Sequence, residues 1–186
     1  LPIFSRDVAD LRARLSRILV GLTYDKKPVT AADLKAVGSL MALLKEALLP
    51  NLVQTVEGVP AFVHGGPFAN IAHGCSSVLA TKFGLSLSDY LITEAGFGFD
   101  LGGEKFLDLK CRQLGVWPRL VVLVATLRAL KLHGGAKLAA AGAANSAALA
   151  NGMEHLRKHL ESLAQFGLPA VVAINVFPDD SEEELN

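Results

Sequence analysis

Four short apolar runs, AFVH at 61–64, DYLIT at 89–93, RLVVLVAT at 119–126 and PAVVAINV at 169–176, alternate with segments of helical spacing near 70–83, 103–114 and 150–166. That alternation constrains the chain more than any other feature. Parallel strands need crossover connections, and their sheet is covered by helices on both faces. The expected fold class is therefore α/β, a parallel sheet flanked by helices. Upstream, Val8, Leu11, Leu15, Ile18 and Leu19 lie on one helical stripe across 7–20. A second helix is expected over 31–48, after the cap-like Thr30 with Asp33 three residues on. The expected division is a helical segment over 1–50 packed on an α/β region over 51–186.

In an open parallel sheet, ligands bind at the carboxyl edge of the strands. The segments leaving the four runs are HGGPFANIAHG, EAGFGFDLGGE, LRALKLHGG and FPDD, and they concentrate glycine and polar groups. The opposite connections, KFGLSLS, RQLGVWP and AQFGLP, are plainer. All four exits are expected to share one rim. Gly65 and Gly66, with Asn70 ahead of a helix, form either a cradle for phosphate or carboxylate or a tight turn capped by Asn70. His64 and His73 have the chemistry of acid-base groups, phosphate donors or metal ligands. A hydrogen-bonded core histidine is the commoner role, and with no third ligand at zinc spacing no metal site is expected. Arg128, Lys131 and His133 group three cationic or titratable side chains that can offset phosphate charge, or else coat a solvated helix start. Phe97 and Phe99 stand on a glycine-rich exit, either as platforms for a flat heterocycle or as plugs in the core.

Other features narrow the function by exclusion. Eighteen basic and eighteen acidic residues cancel, so no global field draws the chain to nucleic acid or to an anionic membrane. Cys75 and Cys111 lack the spacing of a zinc site or a disulfide framework, and are expected to be small buried residues of a cytoplasmic protein. GFDLGGEKF approaches a phosphate loop but carries Glu104 where lysine should follow, so a nucleotide's phosphate loop is expected elsewhere. The alanine-rich stretch 139–152 reads either as a loop or as a helix interrupted by glycine. Leu1 and the terminal SEEELN suggest an internal piece of a longer polypeptide.

PNLVQTVEGVPAFVHGGPFANIAHGCSSV, TEAGFGFDLGGEKFLDLKCR, VATLRALKLHGG and VAINVFPDD follow one another in order. Together they resemble formate-tetrahydrofolate ligase, also called 10-formyltetrahydrofolate synthetase, over essentially the whole chain. The resemblance implies an ATP-dependent enzyme that phosphorylates formate to formyl phosphate, which N10 of tetrahydrofolate then attacks. It implies a fold like that of P-loop NTPases, incomplete here because the N-terminal phosphate-loop region has no counterpart. ATP and Mg2+ would be held mainly outside these residues, with a monovalent cation as a further ligand. The full-length parent would be a cytoplasmic homo-oligomer, and this portion would be inactive alone. Phe97 matches the family's folate-lining aromatic, Phe177 and Pro178 match another part of the pterin pocket, and Glu94 and Asp100 would be polar neighbours of the folate. His64, Gly65, Gly66, Asn70 and His73 become candidates to meet phosphate or formyl phosphate, with Arg128, Lys131 and His133 behind them. Phe99 stands where relatives more often carry a small residue. The alternative is a non-catalytic folate-binding or scaffolding remnant that lacks the nucleotide loop.

Overall fold

The structure is a computed structural model that describes residues 1–66 and 75–185. The chain divides into two compact units, Leu1–Val116 and Trp117–Asn186. The fold is α/β with a small parallel sheet and helices, and no helix among the described residues is long and apolar enough to cross a membrane.

In the first unit, helix α1 (Val8–Ser16) begins where the Asp7 carboxylate accepts from the Asp10 N–H at 2.7 Å. It buries Leu11 and Leu15 against Ala31, Val37, Met41 and Leu48. The expected helix over 7–20 stops at Ser16, and the chain then forms a hairpin from β1 (Leu19–Leu22) and β2 (Pro28–Thr30). The expected helix over 31–48 is also shorter. Asp33 accepts from both the backbone and the hydroxyl of Thr30, Lys35 turns into the left-handed region, and α2 runs only over Val37–Leu44. The capping signal is satisfied, but it closes a turn instead of starting a long helix.

Two of the four expected parallel strands are corrected. The run at 61–64 becomes β4 (Pro60–Val63), which pairs antiparallel with β3 (Asn51–Gln54). A hairpin closes locally at small entropic cost, whereas a parallel partner must be brought from far along the chain. DYLIT forms no strand. Helix α3 (Val78–Leu87) ends just before it, Leu91 fills the space beside Gly84, and Tyr90 and Ile92 face solvent. Apolar β-formers alone do not make a strand without a neighbour to pair with. Phe62 of β4 stacks on Phe83 of α3, with ring centroids 6.0 Å apart. The expected helix over 103–114 starts earlier, with π-helical turns at Phe99–Gly103 and Phe106–Cys111 leading into α4 (Arg112–Leu114). Cys75 and Cys111 are free, buried thiols, as expected.

In the second unit the remaining two runs pair in parallel. Strand β5 (Val121–Ala125) aligns with β6 (Ala170–Ile174), from Val121 opposite Ala170 to Ala125 opposite Ile174. Between them lie α5 (Leu127–His133), capped by the Thr126 hydroxyl, and α6 (Ser146–Gln165), capped by the Asn145 side chain. The ambiguous stretch 139–152 resolves into a loop followed by the first turns of α6. Gly152 is what lets α6 meet α5, because a Cβ there would collide with the Leu130 carbonyl. A last helix, α7 (Glu182–Leu185), closes the unit.

Candidate functional site

The glycine-rich exit at 94–104 shows what its unusual composition does. Gly102 is buried against the backbone of Gly96, and a Cβ there would strike the Gly96 carbonyl. The loop can therefore fold back onto the π-helical turn it feeds. Phe99 and Phe97 separate cleanly in this geometry. Phe99 is buried, with its ring against Gly103. Phe97 has 68% of its surface exposed and a backbone φ of 63°. A β-substituted residue in that region carries strain on the order of 1 to 3 kcal/mol, and such strain gathers at ligand-binding positions. Glu94 and Asp100 are exposed on the same stretch. Asp100 lines a cavity of about 270 Å³ with Glu104, Lys105 and Asp108.

His64 follows β4 and is buried at 5% exposure. Its Nε2 donates to the Ala47 carbonyl at 2.7 Å, an acceptor with no proton of its own. Its Nδ1 then accepts from the Ser77 hydroxyl at 2.6 Å, and the Ser77 oxygen accepts from the Ala80 N–H at 2.9 Å. The ring thus ties together the segment after α2, the exit of β4 and the start of α3. Gly65 and Gly66 leave this tie exposed, Gly65 with a φ of 79°. Asn70 and His73 lie outside the described residues.

In the second unit the exits of β5 and β6 lie side by side because the strands run in the same direction. Thr126 starts α5 at the end of β5, so Arg128 projects from its first turn toward the FPDD segment. The Arg128 guanidinium lies 4.4 Å from the centroid of the Phe177 ring and pairs with Asp179. That hydrogen bond from Arg128 holds the Asp179 carboxyl below the usual carboxylate range. Arg128, Phe177 and Asp179 line a cavity of about 510 Å³, whose apolar wall includes Leu132, Leu138 and Ala141. Arg128 Nε and Asp180 Oδ1 are buried without a hydrogen-bond partner among the described residues. The other Asp180 oxygen accepts from the Phe177 N–H at 2.8 Å and fixes the turn. Pro178 is exposed beside Phe177.

Lys131, one turn beyond Arg128, points elsewhere. It is fully buried, and its Nζ donates to Glu184 Oε2 and to the Ala143 carbonyl, both at 2.9 Å. His133 is exposed and stacks on His155 with ring centroids 3.7 Å apart. The sequence-expected residues are thus brought together in part: Arg128 meets Phe177, while Lys131 serves a buried ion pair. Asp179 and Glu184 escaped sequence reasoning. Asp179 sits next to an aromatic that was singled out, but Glu184 is one of three consecutive acids, with nothing to mark it as the buried one.

Comparison with known proteins gives this geometry a family. The family model described as formate-tetrahydrofolate ligase matches residues 3–186. A formate-tetrahydrofolate ligase from Methylobacterium nodulans is 62% identical over 181 residues, covering 97% of this chain and 32% of that protein. One from Myxococcus xanthus is 63% identical over 176 residues, 95% of this chain and 32% of its own length. Another, from Paracoccus denitrificans, is 60% identical over 179 residues, with 96% and 32% covered. The chain therefore spans about a third of the length of the curated relatives it matches. By the breadth of these matches, the chain belongs to the formate-tetrahydrofolate ligase family.

Proposed function

We propose that the chain supplies folate-binding surface to an ATP-dependent ligase that makes 10-formyltetrahydrofolate from formate and tetrahydrofolate through formyl phosphate. The observation that carries this reading is Phe97, a large aromatic that is both exposed and held at a positive φ. Burial supplies no reason for that combination, whereas a ring presented to a flat heterocycle does. Within the second unit, Phe177 and Pro178 offer an aromatic surface of their own, with Arg128 over the ring to orient a polar substituent. Glu94 and Asp100 flank Phe97 as acceptors for ring N–H groups of the pterin. Gly65 and Gly66 present backbone donors to an anionic group, with His64 bracing their position, and Asn70 and His73 are candidates to meet the same group. Lys131 holds the start of α6 and α7 in place behind Arg128.

The residues present do not fit a nucleotide's triphosphate. The sequence lacks a phosphate loop, and among the described residues no three His, Cys, Asp or Glu groups could hold a metal ion. ATP, Mg2+ and a monovalent cation would be gripped by polypeptide that the relatives carry beyond this third, in a P-loop-like fold. The parent is proposed to be a cytoplasmic homo-oligomer, and this portion to be inactive alone.

The test is Phe97→Ala in the full-length parent. Loss of one stacking platform weakens binding by roughly 1 to 3 kcal/mol, which predicts a KM for tetrahydrofolate raised by roughly 5- to 150-fold. The KM values for ATP and formate should stay near those of the parent. An unchanged tetrahydrofolate KM would remove Phe97 from the site.

A further inference from the structure

Strands β5 and β6 pair only with each other among the described residues, so the outer edge of each is open. Along β5, half-buried Val121, Leu123 and Ala125 alternate with exposed Val122 and Val124. On β6 the alternation is broken: Val171 is exposed beside Val122, Ala173 beside Val124 is half-buried, and Ala170 and Ile174 are exposed on the other side, so the bare surface centres on Val122, Val124 and Val171. There Val122 is 55% exposed, Val124 64%, and Val171, aligned with Val122 across the pair, 52%. This arrangement is anomalous for its type. Parallel strands occur almost only in sheets covered on both faces, and a two-stranded pair is below the size that is stable in water.

The geometry points to the bare valine face and open edges of β5 and β6 as a docking surface for the rest of the ligase polypeptide, the two thirds of the relatives' length that this chain does not span. Three observations favour that occupant over a second copy of the chain. The face carries no charged side chain from Val121 to Ala125 or from Ala170 to Ile174, as suits a permanent core interface. Two strand edges and one face need cover at once, whereas a twofold contact between copies covers a single patch. The relatives also contain twice as much further polypeptide as this chain, enough to supply flanking strands and a helical layer. Docking there would fix the two strands whose exits carry Arg128 and Phe177. The inference goes beyond the folate reading and stands without it.

Thiol labelling tests it. Val124→Cys in residues 1–186, and the same substitution at the aligned position of the full-length Methylobacterium nodulans ligase, are exposed to a maleimide, and the labelled peptide is identified by mass spectrometry. The native thiols, Cys75 and Cys111, are buried and supply the background. The introduced thiol should label slower by roughly 100-fold or more in the full-length protein, as befits a site reached only by local opening. A thiol at Glu154, on the exposed side of α6, should label alike in both. Equal rates at position 124 would overturn the proposal. So would protection in the short chain that grows with its concentration, which would assign the face to a second copy. Circular dichroism checks folding, and Val122→Cys repeats the measurement should Val124→Cys disturb it. Neither readout involves folate, so failure of the Phe97 test leaves this one standing.

Discussion

Lys110 and Lys131 are both fully buried, one in each unit, and their surroundings differ in one respect. The Lys131 ammonium has a carboxylate and a carbonyl, and Glu184 is in turn fixed by the Asn145 N–H at 2.6 Å. That backbone hydrogen bond, with Lys131 beside it, holds the Glu184 carboxyl below its ordinary value. Lys110 lies on a π-helical turn with its Nζ 5.2 Å from the Phe106 ring centroid and, among the described residues, no hydrogen-bond partner. Burial pushes its ammonium toward the neutral amine, while the thiols of Cys75 and Cys111 act the other way. A buried cation is tolerable where the chain supplies an anion and a carbonyl, and a liability where, among the described residues, it meets a ring and two thiols without a hydrogen-bond acceptor. The first lysine is a structural tie and the second is held in place by the packing around it.

Breaking the tie gives the largest expected effect. Lys131→Ala strands Glu184 as a buried unpaired carboxylate, for a loss of about 3 kcal/mol or more, read as a lowered urea midpoint. Replacing both partners, Lys131→Met with Glu184→Leu, should recover most of that loss, because the cost lies in the unpaired charge and not in the missing pair. A loss below about 1 kcal/mol for Lys131→Ala would mean that the pair is solvated, and the contrast with Lys110 would collapse. The opposite sign is expected in the first unit. Lys110→Met keeps the stem and removes the unsatisfied group, so stability should be unchanged or higher by about 1 kcal/mol. A marked loss there would show that the amine has work to do in the folded chain.

These lysines also show what the sequence could and could not disclose. On a helix, lysine reads as a solvent-facing residue, and neither burial is visible locally. The anion for Lys131 comes from 53 positions downstream. Features held by local pattern were legible: the β5 and β6 runs and the meeting of LRALKLHGG with FPDD follow from that pattern and from parallel pairing. The β4 and DYLIT runs were misjudged because a run of β-formers does not encode whether, or in which direction, it finds a partner. Phe97 and Phe99 differ by two positions and one backbone dihedral, so composition left both roles open and only the fold separated them. The family resemblance supplied the folate reading, which nothing in spacing or charge contains.

The smallest expected effect, and the sharpest on the state of Lys110, is its alkaline signature. Burial pushes both Cys75 and Cys111 up to about 11, from an ordinary value of 9.0. Between those values the native chain keeps thiol protons that the unfolded chain has lost, so the thiols make stability fall as pH rises through that window. Lys110 works in the other direction. Its folded value lies below the ordinary 10.5, so between the two the unfolded chain holds a proton that the native chain lacks, and stability rises with pH. In the parent chain the two slopes partly cancel. Lys110→Met removes only the rising one, so its stability should decline more steeply than the parent's between pH 9 and 10.5, in urea titrations across that range. Cys75→Ser with Cys111→Ser should flatten the decline. Parallel slopes for the parent and Lys110→Met would mean that Lys110 keeps its proton in the folded chain as readily as in the unfolded one, and the two buried lysines would differ in partners but not in charge.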